Sequence, residues 1–163
     1  MIKAIGLLAV FSSLLCGCAS APEKTQDADQ LATAGLLLCK ANEQCPIMAA
    51  SWRSNDKSQL RIDVRLNSSY LYYDIKKITF IIDGKPLSYT PTQPTELQSI
   101  SRLTPKRSSN HIIVPNSFLA SFKNAKRIDV QIHTDHGIIK RAMYIDGKAS
   151  SAYQNFINVY NAS

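Results

Sequence analysis

The chain has 163 residues, 45% of them hydrophobic, with 19 Lys/Arg against 12 Asp/Glu for a formal net charge of +7. That length and ordinary composition suit one domain with a modest core and exclude a repeat array, a collagen-like chain or a long low-complexity tract. The positive excess is uneven: residues 18–99 hold nine basic and nine acidic side chains, whereas residues 100–163 hold nine basic against only Asp129, Asp135 and Asp146.

The N-terminus has a secretory layout, with one positive charge at Lys3 followed by an apolar run over residues 4–15 that is broken only by small residues. Such a run is too short to span a bilayer, which takes about 20 apolar residues. It ends in Leu15-Cys16-Gly17-Cys18, which resembles the lipobox of bacterial lipoproteins: an aliphatic residue, a small one and Gly or Ala before the modified cysteine. The resemblance implies that residues 1–17 are a removed leader and that Cys18 is acylated. Cys16 departs from the usual choice at its place in the pattern, and ordinary cleavage after Ala19 or Ala21 is the alternative. One acyl chain anchors only marginally, at about 0.8 kcal/mol per buried CH₂, so stable attachment needs several chains on Cys18. Ala19 in the next position implies the outer membrane in enteric-type sorting, with the domain facing the periplasm. Removing the 17-residue leader from the 163-residue chain leaves 146 residues.

On this reading Cys16 leaves with the leader, and Cys39 and Cys45 remain in an oxidising compartment, where a disulfide is their expected fate. A loop that short contributes about 2 kcal/mol in the chain-entropy account. No further ligands have metal spacing around the pair, and the two-residue spacing of a redox motif is absent.

Residues 18–26 read as a flexible acylated tether, and residues 27–163 as a single α+β domain. Asp27 or Asp29 is expected to cap an N-terminal helix with Leu31, Ala34, Gly35 and Leu38 on one stripe. Strands follow at 47–53 and 60–66, the second alternating Leu60, Ile62, Val64 and Leu66 with Arg61, Asp63 and Arg65, and the two form a hairpin. Tyr70, Tyr72 and Tyr73 crowd the next connection, as a core edge or as a binding surface. Residues 78–82 are apolar on both faces and suit an inner strand; Asp83-Gly84 signals a hairpin, and Pro86 suits an edge position in the return strand. Residues 91–95 read as an irregular loop, Leu97, Ile100 and Leu103 as a weak strand or irregular segment, 104–110 as a basic loop and 111–114 as a short strand. Pro115-Asn116-Ser117 starts a short helix burying Phe118, Leu119 and Phe122. Residues 127–133 and 138–145 form a hairpin about Asp135-His136-Gly137. An amphipathic C-terminal helix follows, with Ala149, Ala152, Tyr153, Phe156, Ile157 and Tyr160 on its apolar stripe, facing the preceding hairpin. The sum is an antiparallel β-sheet or β-sandwich of about seven strands with helices at both ends.

Chemistry is scarce. No metalloprotease helix, phosphate loop, dinucleotide turn or serine elbow occurs. Of His111, His133 and His136, the last two flank Asp135 but read as exposed turn and strand residues, so no metal, catalytic or cofactor-binding residue is assigned, and no cofactor. No pair of acids stands out for proton transfer. The basic clusters Arg102-Lys106-Arg107 and Lys123-Lys126-Arg127 are the candidate surface for an anionic partner. Nucleic acid is not expected, because the leader sends the chain away from it and the clusters lack interleaved stacking aromatics. The expectation is a non-enzymatic accessory or adaptor lipoprotein of the outer membrane, held there through Cys18 and binding an envelope protein. The alternative is a binding module for an anionic glycolipid or cell-wall fragment.

Overall fold

The computed structural model describes residues 30–31, 34–53, 56–100 and 106–162. The leader, Cys18, the tether, the expected caps Asp27 and Asp29, and Arg102 lie outside the described residues. In chain order the elements are β1 (Gln30–Leu31), β2 (Gly35–Leu36), β3 (Ile47–Arg53), β4 (Asp56–Ser68), β5 (Ile75–Ile82), β6 (Lys85–Tyr89), β7 (Glu96–Gln98) and β8 (Lys106–Pro115). A 3-10 helix (Asn116–Phe122), β9 (Arg127–Thr134), β10 (Gly137–Ile145), β11 (Lys148–Ala149) and α1 (Ser151–Ala162) complete the chain. Every strand pairing is antiparallel: the larger sheet runs β1-β3-β4-β8-β7 with β2 also on β3, and the smaller runs β11-β10-β9-β5-β6.

The inner faces of the two sheets meet in one core. Period-two alternation buries Leu60, Ile62, Val64 and Leu66 of β4 completely, and Ile128, Val130 and Ile132 of β9 likewise. Burial of each such side chain contributes roughly 1.5–3 kcal/mol. Phe80 of β5 packs edge-on against Phe118 at 4.9 Å, and the 3-10 helix buries Phe118, Leu119 and Phe122 as its sequence predicts.

The eleven strands among the described residues exceed the expected seven, and β1, β2, β7 and β11 have only two or three residues each. Two further expectations are corrected. The N-terminal helix is not formed where residues 34–38 are described: Gly35 and Leu36 pair with Met48 and Ile47, and Leu37, absent from the proposed stripe, is the buried leucine. Gly35 is required there because a Cβ would fall 2.3 Å from the Ala152 backbone nitrogen of α1. The Cys39–Cys45 disulfide, Cα atoms 5.8 Å apart, crosses the reversal between β2 and β3.

The expected basic loop at 104–110 is, from Lys106 onward, the first half of a ten-residue strand. Polar residues at inward positions hid the alternation. Ser108 and Asn110 are buried, and they hold the chain where it crosses between sheets. The Tyr73 N–H donates to Ser108 Oγ at 2.8 Å, and Asn110 Nδ2 donates to Gln93 O at 3.1 Å and Thr95 Oγ1 at 3.2 Å. Buried polar groups with such partners do not carry a desolvation penalty.

Helix α1 is capped by Ser150, whose Oγ accepts the Tyr153 N–H at 3.1 Å. It buries Ala152, Phe156 and Val159 and reaches past β10 to β2 and β3, so it closes one side of the sandwich instead of covering only the last hairpin.

Candidate functional site

The outward face of β4, β8 and β7 carries an open groove of about 390 Å³ lined largely by polar and charged side chains. Strand register decides which of them meet. Arg65 of β4 lies opposite Ser109 of β8, and Ser109 lies opposite Glu96 of β7. One row up, Asp63 faces His111; one row down, Asn67 faces Arg107, which faces Gln98.

The charges in this groove are unequally satisfied. Arg61 grips Asp63 through Nη2–Oδ1 at 2.8 Å and Nε–Oδ1 at 3.0 Å, so that pair is internally neutral. Arg107 donates from Nε to Asn67 Oδ1 at 3.1 Å and lines the groove. Arg65 has no hydrogen-bond or ion-pair partner among the described residues, and Glu96 is touched only by the Gln98 side-chain amide. Arg65 and Arg107 are diagonal neighbours on adjacent strands, with Cα atoms about 7–8 Å apart by sheet geometry. Two guanidiniums at that separation suit one carboxylate or phosphoryl group.

His111 sits above them. Burial lowers its pKa from the ordinary value, the Arg61 charge lowers it further, and Asp63 partly opposes both. The ring is therefore neutral at pH 7 and becomes a third cation in acid.

The basic residues singled out from sequence do not form one surface. Lys106 and Arg107 begin β8, at the end of the sandwich where β4 finishes, whereas Lys123, Lys126 and Arg127 lie at the opposite end, where β9 starts beside the Asp83 turn. Lys106 donates to the Tyr70 carbonyl at 2.6 Å with its ammonium 5.3 Å from the Tyr72 ring centre. Arg127 is bound to Asp129 at 2.6 Å, and Lys123 and Lys126 are exposed. Of the described members, only Arg107 lines the groove.

The tyrosines stand apart from the groove. Tyr70 is 82% exposed, and Tyr73 packs edge-on against His136 at 5.8 Å. His136 lies 3.6 Å from Asp135, and His133 lies 3.5 Å from the Thr79 hydroxyl. Among the described residues no three His, Cys, Asp or Glu side chains converge as metal ligands.

Arg61, Arg65, Glu96 and His111 were not singled out as site residues from the sequence. Arg61 and Arg65 carry only the signal of a wet face on an alternating strand, Glu96 and His111 carry none, and the register that assembles the four joins distant segments of the chain. Comparison with protein-family models, with curated proteins and with solved structures finds no match.

Proposed function

We propose that this chain is a lipid-anchored, non-enzymatic accessory protein of the bacterial outer membrane that faces the periplasm and binds an anionic envelope ligand in the β4-β8-β7 groove. The observation that carries the reading is the pair Arg65 and Arg107: adjacent-strand guanidiniums in one groove where, among the described residues, Arg65 is unpaired and Arg107 is held only by a neutral amide. Cationic side chains left without carboxylate partners in a concavity gain most from an anion. The Leu15-Cys16-Gly17-Cys18 sequence supports the anchor.

The test of the groove is binding of lipid A micelles and of a soluble cell-wall peptide fragment to the full-length protein and to its Arg65→Ala/Arg107→Ala variant. Loss of a charge-assisted contact weakens binding about ten- to a hundredfold, and unchanged binding of both probes contradicts the reading. Anchoring is tested separately: Cys18→Ala abolishes the acyl mass in membrane fractions, and acyl mass persisting on the variant overturns it.

A protein-binding adaptor is the second reading, favoured by the edge of β8. Strand β7 pairs only with Arg107, Ser108 and Ser109, so the side of β8 away from β4 has no strand partner from His111 onward among the described residues. Ile113 lies there, 46% exposed. An open edge of that kind accepts a strand from another chain, and crosslinking in the native envelope followed by mass spectrometry identifies any such partner.

A further inference from the structure

The groove holds charges of both signs that do not pair with each other. Arg65 and Glu96 stand in one row across β8, in register with Ser109 between them. Two strand spacings separate their Cα atoms by about 9–10 Å. Glu96 makes no ion pair with Arg65 or Arg107 among the described residues, although all three line the same concavity. A polar arrangement that keeps a carboxylate and two guanidiniums facing one space without joining them suits a ligand that bridges them.

We infer that the groove takes a zwitterion, the end of an amino acid or short peptide that carries both a carboxylate and an ammonium group. The inference rests on the groove being the ligand site proposed above. The ligand's carboxylate sits between Arg65 and Arg107, and its ammonium meets Glu96 beside the Gln98 side chain. Ser109, in the middle of the row, supplies a hydroxyl that donates to the first or accepts from the second. A fully extended dipeptide spans about 7 Å, a length that Arg and Glu side chains rising from Cα atoms about 9–10 Å apart close around.

The same arrangement selects against other anions. Phosphoryl groups without an ammonium gain from the arginines but place like charge beside Glu96, which disfavours them. Sugar rings find no platform, since no Phe, Trp or Tyr among the described residues lines the groove. Within the anionic envelope ligands proposed above, the groove therefore favours peptide-bearing cell-wall material over phosphorylated glycolipid.

The experiment is a calorimetric or NMR titration of the full-length protein with alanylalanine, N-acetyl-alanylalanine and inorganic phosphate, repeated on Glu96→Gln. Glu96 is exposed on a three-residue edge strand, so its replacement leaves the fold intact, which circular dichroism verifies. The expected result is alanylalanine tightest, with N-acetylation weakening it about tenfold or more, the worth of one charge-assisted contact. In Glu96→Gln the dipeptide loses the same factor, and acetylation then changes nothing further. Equal or tighter binding of the acetylated dipeptide or of phosphate, abolished by Arg65→Gln, overturns the zwitterion and leaves a plain anion site. Absence of binding by all three probes overturns both the zwitterion and the groove.

Discussion

Strands β4 and β9 share the tetrapeptide Arg-Ile-Asp-Val, at residues 61–64 in the larger sheet and 127–130 in the smaller. Both copies behave alike: the isoleucine and valine enter the core, and the outward arginine folds onto the aspartate two residues on, at 2.8 Å in β4 and 2.6 Å in β9. The next outward residue separates them. In β4 it is Arg65, opposite Ser109; in β9 it is Gln131, flanked by Thr79 and Lys140. On the face around β9, Thr79 Oγ1 shares a hydrogen bond with Ser88 Oγ at 2.9 Å, and Gln131 and Lys140 line an open groove of about 330 Å³ with the Arg127–Asp129 pair. The face around β4 gathers Arg65, Arg107 and Glu96, which make no ion pairs among the described residues. Identical local sequence thus gives an identical local ion pair, and the two faces differ in the next outward residue and in what the neighbouring strands bring.

The bluntest way to erase that contrast is to damage the scaffold both faces share. Gly35→Ala drives a Cβ into the α1 backbone at Ala152 and is expected to cost about 3 kcal/mol, the upper end for overpacking where backbone must shift, read as a lower midpoint in urea with ligand binding weakened in parallel. Arg65→Gln sharpens the contrast by giving β4 the residue β9 has. It weakens anion binding about tenfold or more while stability stays within about 0.5 kcal/mol, as surface substitutions usually do. A variant that lost stability in proportion to binding would make Arg65 a structural residue.

Thr79→Val tests the face around β9. Loss of the hydroxyl that meets Ser88 costs about 1 kcal/mol and leaves binding unchanged, and weaker binding would show that the two faces are not independent. The smallest effect is the pH response of His111. Its pKa is lowered in the fold, so as pH falls below the ordinary histidine value of about 6.5 the unfolded chain takes its proton first and stability declines. The decline ends once pH drops below the folded-state pKa. Over the same interval the charged ring joins Arg61, Arg65 and Arg107, against Asp63 and Glu96, so anion binding strengthens. From pH 7.5 to 5, His111→Gln flattens the binding trend and removes the His111 share of the stability trend, leaving the decline that His133, its pKa lowered by burial, Lys77 and Lys140, contributes in the same direction.

Local pattern made most of the scaffold legible. Alternation marked β4 and β9, Asp83-Gly84 marked the β5–β6 turn, and the Pro115-Asn116-Ser117 start pointed to the burial of Phe118, Leu119 and Phe122. It failed where a long-range contact outweighed propensity. The leucine run at 36–38 suits a helix by spacing, but the disulfide reversal and the close approach of α1 make β2 of Gly35 and Leu36. Ser108 and Asn110 looked like loop residues because the chain crossings they hold are distant in sequence. In α1 the buried Val159 lay outside the predicted stripe. The groove was illegible for a related reason: Arg61 and Arg65 were visible as a wet face, but nothing local says that Ser109 lies opposite Arg65 and Glu96 beyond it. The six basic residues chosen by charge alone divide between opposite ends of the sandwich where they are described.

The face around β4 is proposed to bind ligand and the face around β9 is not, despite their common tetrapeptide. Side-chain Nε–H NMR of the arginines during titration with alanylalanine tests it most directly. The Arg65 and Arg107 resonances are expected to shift together with ligand while Arg127, bound to Asp129 at 2.6 Å, stays fixed. Movement of Arg127 to the same extent, or stationary Arg65 and Arg107 signals at saturating dipeptide, would contradict it.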